Sequence, residues 1–143
     1  MAIKKYIPNT ITSLNLLSGC ISILLSFEGY MLAAVYLIFL AAVFDFLDGM
    51  SARLLNVYSL LGKELDSLAD IVSFGVAPAF IVFQMMKIAL FGSEDIPLLE
   101  FVSAWKVLFL LLPFLISVLS AIRLAKFNLD ERQTDSFIGL PTP

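Results

Sequence analysis

Residues 45–70 read DFLDGMSARLLNVYSLLGKELDSLAD, bringing four aspartates, a glutamate, an arginine and a lysine into one short stretch. If both halves are helical, Asp45, Asp48, Gly49 and Ala52 fall at i, i+3, i+4 and i+7, which is one helix face. Gly62, Asp66 and Asp70, at i, i+4 and i+8, share a face of the next helix. Each helix then presents two carboxylates. Acids at the edge of a hydrocarbon phase cost a few kcal/mol apiece, and crowding four together adds mutual repulsion. Divalent cations reverse that sign: two ions bridged by shared aspartates neutralise the four charges, while Gly49, Ala52 and Gly62 leave room for a phosphate or a neighbouring helix. Two oxygen-ligated ions beside Arg53 suit phosphoryl transfer, and a lipid carrying a diphosphate is the natural substrate. Solvated helix-end charge is the plain alternative; it accounts for any single aspartate better than for four on matched faces.

The surrounding chain decides where this chemistry sits. Of 143 residues, 60% are hydrophobic and only 15% charged, against roughly 25% charged in soluble domains. A single domain of this length cannot hide so much apolar surface from water, so the chain belongs in a membrane. The net charge of −3 and the lack of a basic block argue against a nucleic-acid partner. There is no histidine. That excludes Ser-His-Asp and Cys-His catalysis within the chain and disfavours histidine-held zinc or haem, leaving metals content with oxygen ligands, Mg2+ or Mn2+. Cys20 stands alone in an apolar run and reads as a small buried hydrophobe.

Four apolar runs carry the acids. Residues 11–27 and 31–46 form a helical hairpin broken at Glu28-Gly29, and Asp45 and Asp48 extend the second helix into the interface. A third span covers 71–91 and begins nearer Asp66; a fourth covers 105–125, after the stretch GSEDIPLLE, with Trp105 as an interfacial anchor and Pro113 as a kink. Ahead of Pro8, MAIKKYI suits a short helix lying in the interface. Lys4, Lys5, Arg53, Lys63, Arg123, Lys126 and Arg132 fall on one side, and Lys87 and Lys106 on the other. That bias puts the acidic segment on the cytoplasmic face of an integral membrane protein, with Lys63 read as a positive-inside anchor. The expected fold is all-α, a polytopic transmembrane helical bundle.

The pattern Asp45-x2-Asp48-Gly49-x2-Ala52-Arg53-x8-Gly62-x3-Asp66-x3-Asp70 resembles the signature of the CDP-alcohol phosphatidyltransferases, with all eight fixed positions present. Within that family the chain most resembles the integral-membrane phosphatidylserine synthases, through IPNTITSLNLLSG (7–19), ELDSLADIVSFGVAPA (64–79), RLAKFN (123–128) and FIGLPTP (137–143). The resemblance implies displacement of CMP from a CDP-diacylglycerol-type lipid by the hydroxyl of L-serine, in a homodimer. It implies Asp45, Asp48, Asp66 and Asp70 as ligands of two Mg2+ or Mn2+ ions, and Asp70 as general base. Gly49, Ala52, Arg53 and Gly62 would line the CDP-lipid site, joined by Asn9 and Thr12; as plain structure, Asn9 or Thr10 would cap the first span. Arg123 and Lys126 would meet a serine carboxylate or a lipid phosphate. The family usually has six spans, so a chain ending at Pro143 after four is expected to be a C-terminally truncated form of one membrane domain. Inositol phosphate and glycerol phosphate are the rival acceptors, disfavoured by the few basic residues available. A divalent-cation carrier is the rival of another class, disfavoured because the acids gather at one interface.

Overall fold

The computed structural model describes residues 2–57, 59–92 and 103–129, with side chains from Tyr6 onward. The order is α1 (Ala2–Phe27), α2 (Met31–Leu54), α3 (Leu60–Asp70), a π-helical turn (Ile71–Val76), α4 (Ala77–Phe91), α5 (Ala104–Leu111) and α6 (Phe114–Leu129). No strand occurs among the described residues. Four continuous helical units are long and apolar enough to cross a bilayer: Tyr6–Phe27, Met31–Leu54, Leu60–Phe91 and Ala104–Leu129. Hydrocarbon offers backbone groups no partners, so helices that bond internally are the economical solution.

Three expectations are revised. The N-terminal segment is not a separate interfacial helix; it forms the opening turns of α1, which runs through Pro8. Proline removes one backbone bond, and around it the hydroxyls of Thr10, Thr12 and Ser13 bond the carbonyls of Tyr6, Pro8 and Asn9 at 2.7, 3.0 and 2.8 Å. The caps assigned to Asn9 or Thr10 therefore do not form, because both lie inside a helix. Cys20 is exposed rather than buried, since it sits one residue off the packed face of α1. The kink at Pro113 appears as the break between α5 and α6.

That packed face is made of Pro8, Thr12, Asn15, Ser18, Gly19, Ser22 and Ser26, all buried. Large apolar side chains such as Leu17, Leu24, Phe39, Leu108 and Leu119 point outward instead. This arrangement suits lipid, where helices gain by close approach through small residues rather than by withdrawing apolar surface. At Gly19 an added methyl carbon would lie 2.9 Å from the Ser73 Cα, so α1 and the π turn are nearly in backbone contact. Hydroxyls also cross between helices: Ser22 to the Ala34 carbonyl at 2.7 Å, Ser73 to that of Asn15 at 3.0 Å, and Ser117 to that of Gly75 at 3.0 Å. Gln84 donates to the Ser26 carbonyl at 3.2 Å. Phe27, Phe80, Phe83 and Phe114 form a ring cluster, with Phe80 4.9 Å from Phe27 and 5.0 Å from Phe114, at the end of the bundle away from the aspartates.

Two reversals set the register. Gly29, at φ 82°, ends α1 as Tyr30 N–H bonds the Leu25 carbonyl at 2.9 Å. Asn56 adopts the left-handed region, φ 49°, which asparagine tolerates, and Val57 N–H bonds the Ala52 carbonyl at 3.0 Å. Ser59 then caps α3 by accepting from Gly62 N–H at 2.9 Å. This second reversal folds the acids of α2 against those of α3.

Candidate active site

Asp45 and Asp48 stand on the last turns of α2, Asp66 and Asp70 on α3. One carboxylate oxygen from each of Asp45, Asp48 and Asp66 lies within 4.8 Å of the others. Asp48 is buried at 5% exposure, and Asp45, Asp66 and Asp70 are half-buried. Asp48 Oδ2, Asp66 Oδ1 and Asp70 Oδ1 are buried without a hydrogen-bond partner. A buried, unpaired carboxylate oxygen is expensive, and two such oxygens, on Asp48 and Asp66, within a close group that includes Asp45 fit a divalent cation with oxygen ligands. The expected set of four is thus brought together as a tight group of three, with Asp70 one turn further along α3.

A cavity of about 210 Å3 opens beside the group, lined by Asn9, Thr12, Asp48, Gly49, Ala52, Arg53, Gly62 and Asp66 among others. Every residue expected to meet the CDP-lipid is in that lining. Gly49 has open space where a side chain would start, whereas a methyl carbon on Gly62 would lie 2.9 Å from Ser59 Oγ and 3.0 Å from Asn9 Oδ1. Gly62 is therefore required by the close passage of α1 over the α3 cap. Lys63, read above as an anchor, lines this cavity too, as do Pro8, Val57 and Ser59.

Asp70 keeps its carboxyl beside that of Asp45 and also opens onto other surroundings. With Ile71, Phe74, Gly75, Ser120, Arg123 and Leu124 it lines a second cavity of about 200 Å3. The π turn begins directly after Asp70, and Ala77 N–H bonds the Val72 carbonyl five residues back. Pro78 follows on α4 and has no N–H to continue the ordinary pattern, so the wider turn has a local cause. Asn128 on α6 donates to Ser67 on α3 at 2.9 Å, tying the helix that carries Arg123 to the helix that carries the acids. Lys126 is exposed and lines neither cavity. Arg132, the FIGLPTP stretch and most of GSEDIPLLE lie outside the described residues. Sequence reasoning missed Ser67, Ser73 and Asn128; only their cross-helix partners reveal them.

The family model described as CDP-alcohol phosphatidyltransferase matches residues 5–141. The chain is 37% identical over 139 residues to the CDP-diacylglycerol--serine O-phosphatidyltransferase of Bacillus subtilis (strain 168), covering 97% of this chain and 70% of that relative. It is 35% identical over 139 residues to the archaetidylserine synthase of Methanothermobacter thermautotrophicus, covering 96% and 53%. It is 38% identical over 138 residues to the CDP-diacylglycerol--serine O-phosphatidyltransferase of Helicobacter pylori (strain J99), covering 95% and 52%. The chain spans about half the length of the latter two. No solved structure matches it significantly.

Proposed function

This chain belongs to the CDP-alcohol phosphatidyltransferase family, and from that premise we propose that it transfers the phosphatidyl group of a CDP-linked lipid to the hydroxyl of L-serine, releasing CMP. The observation that carries this reading is the pair of cavities meeting at one line of aspartates. One offers Gly49, Ala52, Arg53 and Gly62 to a nucleotide diphosphate, and the other offers Asp70 and Arg123 to an acceptor.

The CDP diphosphate occupies the first cavity, with the Arg53 guanidinium against its charge and Gly49 and Gly62 allowing close approach. Serine enters the second, its carboxylate held by Arg123. Asp70 accepts the proton of the serine hydroxyl; the freed oxygen forms a bond to the lipid-bearing phosphorus while the bond from that phosphorus to the CMP oxygen breaks. Asp70 suits this role because it borders the second cavity while its carboxyl stays beside Asp45, next to the group that would hold the ions. Two divalent ions held among the four aspartates would neutralise the diphosphate and the developing charge on CMP. The excess of basic residues on the aspartate side supports a cytoplasmic site, and the exposed apolar flanks meet membrane lipid. A homodimer belongs to the same reading.

The test is an acceptor panel on the full-length protein in lipid, with labelled CDP-diacylglycerol and CDP-archaeol as donors and Mn2+ present. Serine-dependent CMP release, lost in Asp70→Asn, is the expected result. Faster release with inositol phosphate or glycerol phosphate would overturn serine as acceptor. Metal flux without CMP release would replace the enzyme by a carrier.

A further inference from the structure

A hydroxyl inside a membrane span ordinarily bonds a backbone carbonyl. Ser18 and Ser51 donate to carbonyls of their own helices, and Ser22, Ser73 and Ser117 to carbonyls of neighbouring ones. Ser120 on α6 does neither: its hydroxyl has no hydrogen-bond partner among the described residues. It lines the second cavity instead, one helical turn before Arg123 and on the same face of α6. A methyl carbon added at Gly75 would stand 3.7 Å from the Ser120 Cβ, so Ser120 lies over the π turn that begins directly after Asp70. Asp70, Ser120 and Arg123 are the polar side chains of this cavity, and the rest of its lining is apolar.

An α-amino acid with a hydroxyl brings three polar groups to such a place. In the transfer reading Asp70 takes the hydroxyl proton and Arg123 the carboxylate. The ammonium group is left against apolar walls, where unpaired N–H donors are costly. Ser120 supplies the remaining polar atom in the lining, an oxygen able to accept as well as donate. We propose that Ser120 is a specificity-determining residue for the acceptor: its oxygen accepts a hydrogen bond from the ammonium group of an α-amino acid and so selects that class of acceptor. The charges of the cavity agree with this assignment. One carboxyl, one guanidinium and a neutral hydroxyl match a zwitterion, whereas a phosphorylated polyol would bring added negative charge to a single cation. The inference rests on the phosphatidyl-transfer reading above and deepens it by naming the acceptor class.

The test compares wild type with Ser120→Ala, which removes the oxygen, and Ser120→Thr, which keeps it, all as full-length protein in lipid with Mn2+. L-Serine is the acceptor, and β-hydroxypropionate, the same molecule without its amino group, competes with it. A hydrogen bond to a charged group is worth roughly 10- to 100-fold. Ser120→Ala should raise KM for serine by that factor while Ki for β-hydroxypropionate, KM for the CDP-lipid and thermal unfolding stay at wild-type values. Ser120→Thr should restore most of the affinity for serine. A wild-type KM for serine in Ser120→Ala overturns the proposal, and so does an equal weakening of serine and β-hydroxypropionate, which would mark a merely structural role. A wild-type protein that releases no CMP with serine would overturn the transfer reading instead. Titration with isotope-labelled serine followed by NMR needs no turnover and would then judge Ser120, unchanged binding in Ser120→Ala counting against it.

Discussion

Replacing Gly49 by alanine separates stability from function more cleanly than any other single change in this site. Gly49 lies inside α2, five residues before its end, with no heavy atom within 4 Å of where a Cβ would stand. Alanine therefore meets no steric resistance, and helix propensity favours it by about 0.5–1 kcal/mol. The same methyl projects into the first cavity, which holds only about 210 Å3 and must take a nucleotide diphosphate. Displacing a reacting group by about 1 Å can cost 10²-fold. We expect Gly49→Ala to unfold at the same temperature as wild type or a little higher, while kcat/KM for CDP-diacylglycerol falls by roughly 10- to 100-fold on the same principle. Thermal unfolding in lipid nanodiscs and CMP release across donor concentrations measure the two quantities on one preparation. A variant that melts lower, or one with wild-type kcat/KM, would refute the reasoning, the first by denying the open space and the second by denying that the donor lies there.

Gly19→Ala should behave oppositely: its methyl would stand 2.9 Å from the Ser73 Cα, which cannot rotate aside, so overpacking should lower stability by about 1–3 kcal/mol, read by thermal unfolding. Arg123→Ala should raise KM for serine by roughly 10-fold or more, the equivalent of one charge-assisted hydrogen bond, and leave KM for the CDP-lipid unchanged in steady-state kinetics. Chelation should abolish CMP release and added Mg2+ or Mn2+ should restore it, while Asp48→Asn should shift the Mn2+ concentration for half-activity upward.

The acids, their pairing on two helix faces and the four spans were legible because each is a local pattern: spacing along one helix, or the length of one apolar run. The divergence of Asp66 and Asp70 was not, because four-residue spacing puts them on one face; what separates their surroundings is α1 against one and α6 against the other. Ser73 escaped for the same reason, since its partner lies 58 residues away. The buried seam of α1 was visible at Thr12, Asn15, Gly19, Ser22 and Ser26, spaced three or four apart, but it inverts the soluble rule that apolar residues mark the inside. Cys20 was misplaced by applying that rule. Lys63 can be assigned to the cavity only once the Asn56 reversal is known, because positive-inside anchors share its composition.

The seam of hydroxyls and glycine has a calorimetric consequence. Among the described residues only a handful of apolar side chains, mostly alanines with Ile81, Phe83 and Leu110, are withdrawn from the surroundings by packing. Pulling the helices apart within a bilayer would wet almost none of them, so the transition should carry little heat-capacity change, and its free energy should vary almost linearly with temperature instead of tracing the dome of a water-soluble fold.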